Sequence, residues 1–501
     1  MVSPIPGQRQ ASAPVPTVTG PIPCAVPASV GGGVAPVSSQ VLAASRYRQS
    51  EFFVSGTASA YNFVGTPGTD GRWTVSAVPG SAAAYKTRIE VFTPADPARF
   101  SGHVIMEWDN VTAGADGMPD LTMTHLDVFR AGDVYVGVSA QFVGVKSAAL
   151  SDPARYGSLT HPGDSYAYDI FSQAGMAIRA DAAQILPGLT PHDITAAGES
   201  QSAFELTTYV DAFAPLFNVY DGYLINSRTA SGEPLQQAPG TATVLVNGTP
   251  ESEPDGNAGL STVNTPPITQ TRTDLRAPVL TYLTQTDVYS PPNGLLGYGP
   301  ATQPDSADFR LWEAAGTAHA DDCLVNLCAN DRGDAAGTIA ASTTCSRRVP
   351  ISAAWRPAIR RSTPARWATP SAPPSGSSQG GQSPAAPPPA SPPLFAGQSA
   401  GENAATIPVL DTHGNIIGGV RSPAVDVPVA TLTGTVNSPG FCELSGTTTP
   451  FTTTQLDALY PTHTAFVRAW TADVARLTAR GYPTPVDAVN LIAAAAASTV
   501  P

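Results

Sequence analysis

The segment His192-Asp-Ile-Thr-Ala-Ala-Gly-Glu-Ser-Gln-Ser-Ala-Phe-Glu-Leu206 constrains this chain more than any other. A short apolar strand runs into Gly198-Glu199-Ser200-Gln201-Ser202, and a helical pattern begins at once. That layout is a nucleophile elbow, the tight strand-to-helix turn that lifts a serine hydroxyl above a sheet. The following helix aims its N-terminus at negative charge developing on whatever the serine attacks. The usual second glycine of the turn is replaced by Ser202. The chain's literal G-x-S-x-G is Gly397-Gln-Ser399-Ala-Gly401, but Ser-Pro-Pro-Leu-Phe precedes it, and proline is excluded from a central strand. Ser200 is therefore the candidate nucleophile and Ser399 a decoy.

The rest of the chain supplies the sheet this turn needs. Tyr85–Phe92 alternates as a half-buried strand does, and Phe52–Tyr61 and Trp73–Val78 read as antiparallel edge pieces. His103–Trp108, Asp133–Ser139, Tyr220–Asn226, Ala277–Leu283 and Phe309–Ala314 are compact apolar runs, with a helical pattern over Asp169–Leu186. Strands alternating with helices predict an α/β fold, a mostly parallel central sheet with helices on both faces.

Around this core, residues 1–45 read as an extended N-terminal arm and 46–345 as the core. Residues 227–275, between two strands and poor in helix signals, read as an insertion able to roof the strand ends as a lid. Residues 346–399 form a low-complexity loop or linker, and 400–501 a C-terminal extension with helices over Asp457–Ala479 and Pro485–Ala497.

A serine hydroxyl needs an adjacent imidazole, itself oriented by a carboxylate. Behind an elbow of this kind the chain order is Ser, then Asp or Glu, then His. Of the seven histidines, His103, His125, His161 and His192 precede Ser200, and His413 and His463 follow the low-complexity tract with no strand before them. His319, just beyond the Phe309–Ala314 strand, is left as the base. Asp287 closes another strand and is the candidate acid, with Asp305, Asp308 and Glu313 as alternatives. Two main-chain N–H groups should receive the oxyanion: one from Gln201, the other from Asn110 or its neighbour Asp109 after the His103–Trp108 strand. Gln141, at the end of the next strand, is a candidate substrate contact, although a strand-end amide more often holds a loop.

Composition narrows the partners. A net charge of −13, with Lys86 and Lys146 the only lysines, argues against nucleic acid and against an anionic membrane surface. No apolar run is long enough to span a bilayer. The N-terminal residues lack the basic and apolar regions of a signal peptide, while the lysine-poor, Thr/Ser/Gly-rich composition leans towards export to the periplasm or beyond. Cys24, Cys323, Cys328, Cys345 and Cys442 match no zinc spacing, so neither metal nor other cofactor is expected, and disulfide pairing stays open.

Several segments together carry a resemblance: Thr17–Ile22, Glu107–Thr112, Arg155–Gln173, Gly198–Ser202, Ala315–Asp321, Asp411–Pro428 and Phe441–Leu444. Spread over most of the chain, they resemble the α/β-hydrolase superfamily, in particular the group known as alpha/beta hydrolase domain-containing proteins. The resemblance implies the α/β-hydrolase fold and a serine hydrolase with Ser200 and His319 as nucleophile and base; it leaves the substrate open. Two stretches depart from it. Ala203 stands where the group has glycine, and residues 345–371 lack the apolar-periodic helix expected there, as a divergent loop or a local frame shift would produce. The expected activity is hydrolysis of a small-molecule carboxylic ester or lactone through an acyl-enzyme on Ser200. The alternative is a catalytically inactive binding or scaffold protein. Oligomeric state is not readable from the sequence.

Overall fold

The computed structural model describes residues 13–23, 36–235, 243–254, 263–289, 296–321, 388–394, 396–397, 407–435 and 440–500. Its centre is a nine-stranded sheet: β1 (Thr17–Thr19), β2 (Tyr47–Ala58), β3 (Ala83–Pro94), β4 (His103–Trp108), β5 (Val134–Val138), β6 (Asp193–Glu199), β7 (Gly222–Asn226), β8 (Val279–Thr284) and β9 (Phe309–Ala314). In space the order is β1-β2-β3-β5-β4-β6-β7-β8-β9. β1, β2, β3 and β5 pair antiparallel in turn. From β5 through β4 to β9 every pairing is parallel.

The parallel strands read as continuous apolar runs because both their faces are covered. Period-two alternation sends Val104, Met106 and Trp108 of β4 into one apolar layer and Ile105 into the other. Tyr135, Ala197, Leu224 and Trp312 likewise face away from their strand neighbours Val136, Ala196, Ile225 and Leu311. One face is packed by helices α3 (Ala167–Ala180) and α4 (Gln201–Thr208), through Ile170, Phe171, Ala174, Ala203 and Leu206. The other is packed by α1 (Pro119–Ala131), through Leu121, Val128 and Phe129, and by Leu477 of the C-terminal helix α5 (His463–Ala479).

After β4 the chain crosses to β5 on one side and then to β6 on the other. This reversal opens a crevice beyond the carboxyl ends of β4 and β6, where ligands collect in sheets of this kind.

Several elements differ from the sequence expectation. β2 lies inside the sheet, paired on both edges, because β1 from the N-terminal arm covers its outer side. That arm is not extended throughout: Ser38 caps a helix over Ser39–Ser45, its side chain accepting from the Val41 N–H. The helix expected over 457–479 is two, Thr453–Leu459 and α5, because Pro461 and the Thr462 cap start a new one. Pro485–Ala497 is the last helix, α6.

Within 227–275, Thr243–Val246 and Thr249–Ser252 form a hairpin. Its turn lies against the loop after β4, the Asn247 N–H donating to Gly114 (2.9 Å), and against helix α2 (Phe142–Ser151), where Ser147 donates to Asn247 (2.8 Å). The end of the low-complexity tract lies against β9: Trp312 Nε1 donates to the Pro389 carbonyl, and the Leu394 N–H to the Glu313 carboxylate. Ser399, residues 345–371, Cys24, Cys323, Cys328 and Cys345 lie outside the described residues.

Candidate active site

The elbow is built as its sequence predicts. Ser200 has φ 56° and ψ −121°, a strained conformation for a residue with a side chain. Its N–H donates to the Asn226 carbonyl of β7 at 3.0 Å, and its own carbonyl accepts from Ala203 and Phe204 as α4 begins. Gly198 is required: a Cβ there would come within 2.7 Å of the Ser202 carbonyl oxygen. The serine replacing the second glycine has its own function. The Ser202 hydroxyl donates to the Glu199 carbonyl (2.9 Å) and accepts from the Glu199 N–H (3.0 Å), closing the turn from within. Ala203 is fully buried in the apolar layer beneath α4.

The three expected catalytic residues meet. Ser200 Oγ lies 2.8 Å from His319 Nε2, and His319 Nδ1 lies 2.7 Å from Asp287 Oδ1. Asp287 sits in a short helical turn, Gln285–Tyr289, directly after β8 and is fully buried. Its second oxygen accepts from the Thr284 N–H (2.7 Å) and Thr284 hydroxyl (2.8 Å), so both oxygens are engaged and the carboxylate cannot swing. Two of the alternatives are used elsewhere, Asp305 accepting from the Leu311 N–H and Glu313 from the Leu394 N–H, while Asp308 lies just before β9.

His319 follows β9 after a turn at Gly316, whose φ of +68° favours glycine. Gly316 N–H donates to Gln285 Oε1 (3.0 Å), and Gln285 N–H to the Thr317 hydroxyl (3.3 Å), tying the histidine loop to the acid turn. From the C-terminal extension, the Leu444 carbonyl accepts from Ala320 N–H and the Gly434 carbonyl from the Thr286 hydroxyl.

The loop after β4 faces the elbow, but not as expected for Asn110. The Asn110 N–H donates to the Gly117 carbonyl (2.8 Å), which pulls the loop into a bridge and turns that amide away from an oxyanion role. Its side chain instead donates to the Glu199 carbonyl at 2.9 Å. Asp109, the other expectation, also has its amide taken, by Val138 at 3.1 Å. Val111 is the residue facing the elbow: its N–H makes only a long 3.4 Å contact with Gln201 Oε1. Gln201 itself occupies the first helical position, where a main-chain N–H has no intrahelical acceptor.

This loop is anchored at both ends. Glu107 accepts from the Asp120 and Leu121 N–H groups, capping α1, and from the Tyr135 hydroxyl (2.6 Å). Arg88, buried, bridges Asp116, Glu90 and Glu51 at 3.0, 2.7 and 3.1 Å. Burial pushes the Glu90 carboxyl up to about 7, against the pull of Arg88. Asp109 is also raised well above its usual range, by burial and then by the nearby Asp116 and Glu90.

Gln141 is buried and engaged on both sides. Its oxygen accepts from Trp108 Nε1 (3.1 Å), and its amide nitrogen lies 3.4 Å from Asp164 and from Glu205. It locks α2, α4 and β4 together, the loop-holding role rather than substrate contact. Around it Asp164 is raised to about 6 by burial, and Glu253, which accepts from the Asp164 N–H, to about 8 by burial and then by Asp164.

Sequence reasoning did not reach Glu199, Thr284, Val111 or the bracing roles of Asn110 and Ser202. Glu199 and Thr284 each stand within three residues of a candidate catalytic residue, a proximity that could have found them. Among the described residues no helix is long and apolar enough to cross a membrane, and no group of three or more His, Cys, Asp or Glu is arranged to hold a metal.

A family model described as an alpha/beta hydrolase domain matches residues 12–493. No curated protein matches the sequence at a significant level. Among solved structures, the chain is similar to an α/β serine hydrolase without a lid from Xanthomonas campestris, at 13% identity and TM-score 0.27, over 55% of this chain and 91% of that one. It is similar to fungal esterases from Rhizomucor miehei (11% identity, TM-score 0.23, 47% of this chain and 67% of that). A third is a rice cell-wall-degrading esterase from Xanthomonas oryzae (12% identity, TM-score 0.21, 38% and 46%).

Proposed function

This chain belongs to the alpha/beta hydrolase domain family, and on that premise we propose that it cleaves carboxylic esters or lactones through an acyl-enzyme on Ser200. The observation that carries the reading is the unbroken relay from Ser200 Oγ through His319 to Asp287, with links of 2.8 and 2.7 Å. Ser200 Oγ attacks the ester carbonyl while His319 Nε2 takes its proton. Asp287 holds the Nδ1–H tautomer and stabilises the imidazolium. The tetrahedral oxyanion is received by the Gln201 and Val111 N–H groups, each such donor typically worth about 3–4 kcal/mol. His319 then returns the proton to the leaving alcohol, and a water activated by the same nitrogen releases the acid. Lactones and thioesters fit the same machinery. The hairpin of 243–252, lying on the loop after β4, supports a lid role for the insertion. The lysine-poor composition supports an exported enzyme.

The test is hydrolysis of short and medium acyl p-nitrophenyl esters by the wild type, Ser200→Ala and Ser399→Ala, with an organophosphonate probe beside it. Loss of turnover and label in Ser200→Ala alone supports the reading. Absence of both in the wild type would favour a non-catalytic binding protein that keeps the fold.

A further inference from the structure

We propose that Glu199, the residue before the nucleophile, acts as a second carboxylate on His319 and sets its basicity. Glu199 Oε1 lies 3.8 Å from His319 Nε2, and both side chains are almost fully buried, at 2% and 3% exposure. Asp287 holds Nδ1 of the same ring at 2.7 Å. The imidazole thus has a carboxylate at each nitrogen. The distance to Glu199 is too long for a hydrogen bond and short enough for strong Coulombic interaction away from water. Nε2 is the nitrogen bonded to Ser200 Oγ, so when the serine proton moves there, the new positive charge develops facing Glu199.

The geometry of Glu199 is fixed by its main chain. Its N–H and carbonyl are both bonded to the Ser202 hydroxyl, and its carbonyl also to the Asn110 side chain. Among the described residues, the elements packed around the pair carry Glu205 on α4, His103 and Glu107 on β4, Asp120, His125, Asp127 and Arg130 on α1, and Arg310 and Glu313 on β9, with Asp287 and Asp321 beside the histidine. An ionised Glu199 favours the imidazolium over the neutral ring, and so raises the pKa of His319 as well as stabilising the charge formed in the transition state. Glu199 is a positioning residue that acts through His319.

This inference rests on the serine-hydrolase reading for its kinetic arm only. The experiment compares wild type, Glu199→Gln and Glu199→Asp in the full chain. The His319 titration is followed by proton NMR of its downfield imidazole N–H, and kcat/KM against pH with a p-nitrophenyl ester. In Glu199→Gln the His319 pKa and the acid limb of the profile should both move down by about one pH unit, and kcat/KM should fall about tenfold, mostly in kcat. Glu199→Asp keeps the charge and should recover most of both. If the His319 titration of Glu199→Gln coincides with wild type, the proposal is overturned, whatever happens to activity. Should Glu199→Gln not fold, Glu199→Ala, which also removes the charge, is read in its place: the same downward displacement of titration and limb supports the proposal, and a titration identical to wild type overturns it. A shifted titration in a protein with no esterase activity would sink the ester reading while leaving this inference standing.

Discussion

The side-chain amide of Asn110 donates to the main-chain carbonyl of Glu199 at 2.9 Å, tying the loop after β4 to the turn that carries Ser200. The two halves of the proposed oxyanion site, Val111 on one element and Gln201 on the other, are therefore spaced by a side chain. Asn110→Ala retains the main chain and removes the brace. It should cost about 1 kcal/mol of stability, read as a lower urea midpoint. It should also lower kcat by tenfold or more, since small displacements of an oxyanion donor are amplified in rate. A silent Asn110→Ala would mean that the loop is held without this bond.

Asp287 offers a sharper test of the relay. In Asp287→Asn one amide oxygen can still accept from Thr284, so the turn after β8 should keep its shape. The amide nitrogen then faces His319 Nδ1, which must become an acceptor, placing the ring proton on Nε2 and facing Ser200. kcat should fall by about 10³–10⁴ with the melting temperature little changed. A loss of under tenfold would show that Asp287 is not the orienting acid.

How much of this was readable in the sequence follows from the range of each interaction. Ser200 and the strand and helix around it are local, set by fifteen consecutive residues, and pattern alone finds them. His319 and Asp287 came from chain order and strand ends, which constrain position but not contact. The Asn110 amide failed because its partner, Gly117, lies seven residues away across a bridge that no periodicity announces. Gln141 bonds Trp108, Asp164 and Glu205 from three separate elements, so its occupation is a property of the packed fold alone. The helix at Ser39–Ser45 was hidden by the Pro/Gly-rich composition around it.

The buried carboxyls give stability a definite pH slope. Glu90 and Glu233 are raised to about 7 and Glu253 to about 8, burial being the first cause in each. A carboxyl whose pKa is higher folded than unfolded holds more protons in the folded state between the two values. Its stabilising contribution is complete below the unfolded value of about 4.3 and is lost as pH rises through the folded one. The urea midpoint should therefore fall between pH 5 and pH 8.5. Glu253→Gln, which cannot ionise beside Asp164, should flatten part of that fall. A midpoint that rises over this interval would contradict the assignment.

Gly434 tests whether the C-terminal extension matters to the chemistry. It lies between the acid turn and the histidine loop: a Cβ there would meet the Thr317 carbonyl oxygen at 2.5 Å, the Thr286 nitrogen at 2.8 Å and Gln285 Cβ at 2.9 Å. Two of these are backbone atoms, so the added methyl has to push the loops apart, at a cost of about 1–3 kcal/mol for overpacking. Because Asp287 and His319 sit on those two loops, even a small separation stretches the 2.7 Å bond between them. Gly434→Ala should thus lower kcat by tenfold or more while KM changes little, whereas Leu410→Ala, half exposed on the same extension, should leave both unchanged. Equal kinetics for the two variants would show that the extension covers the core without holding the triad in register.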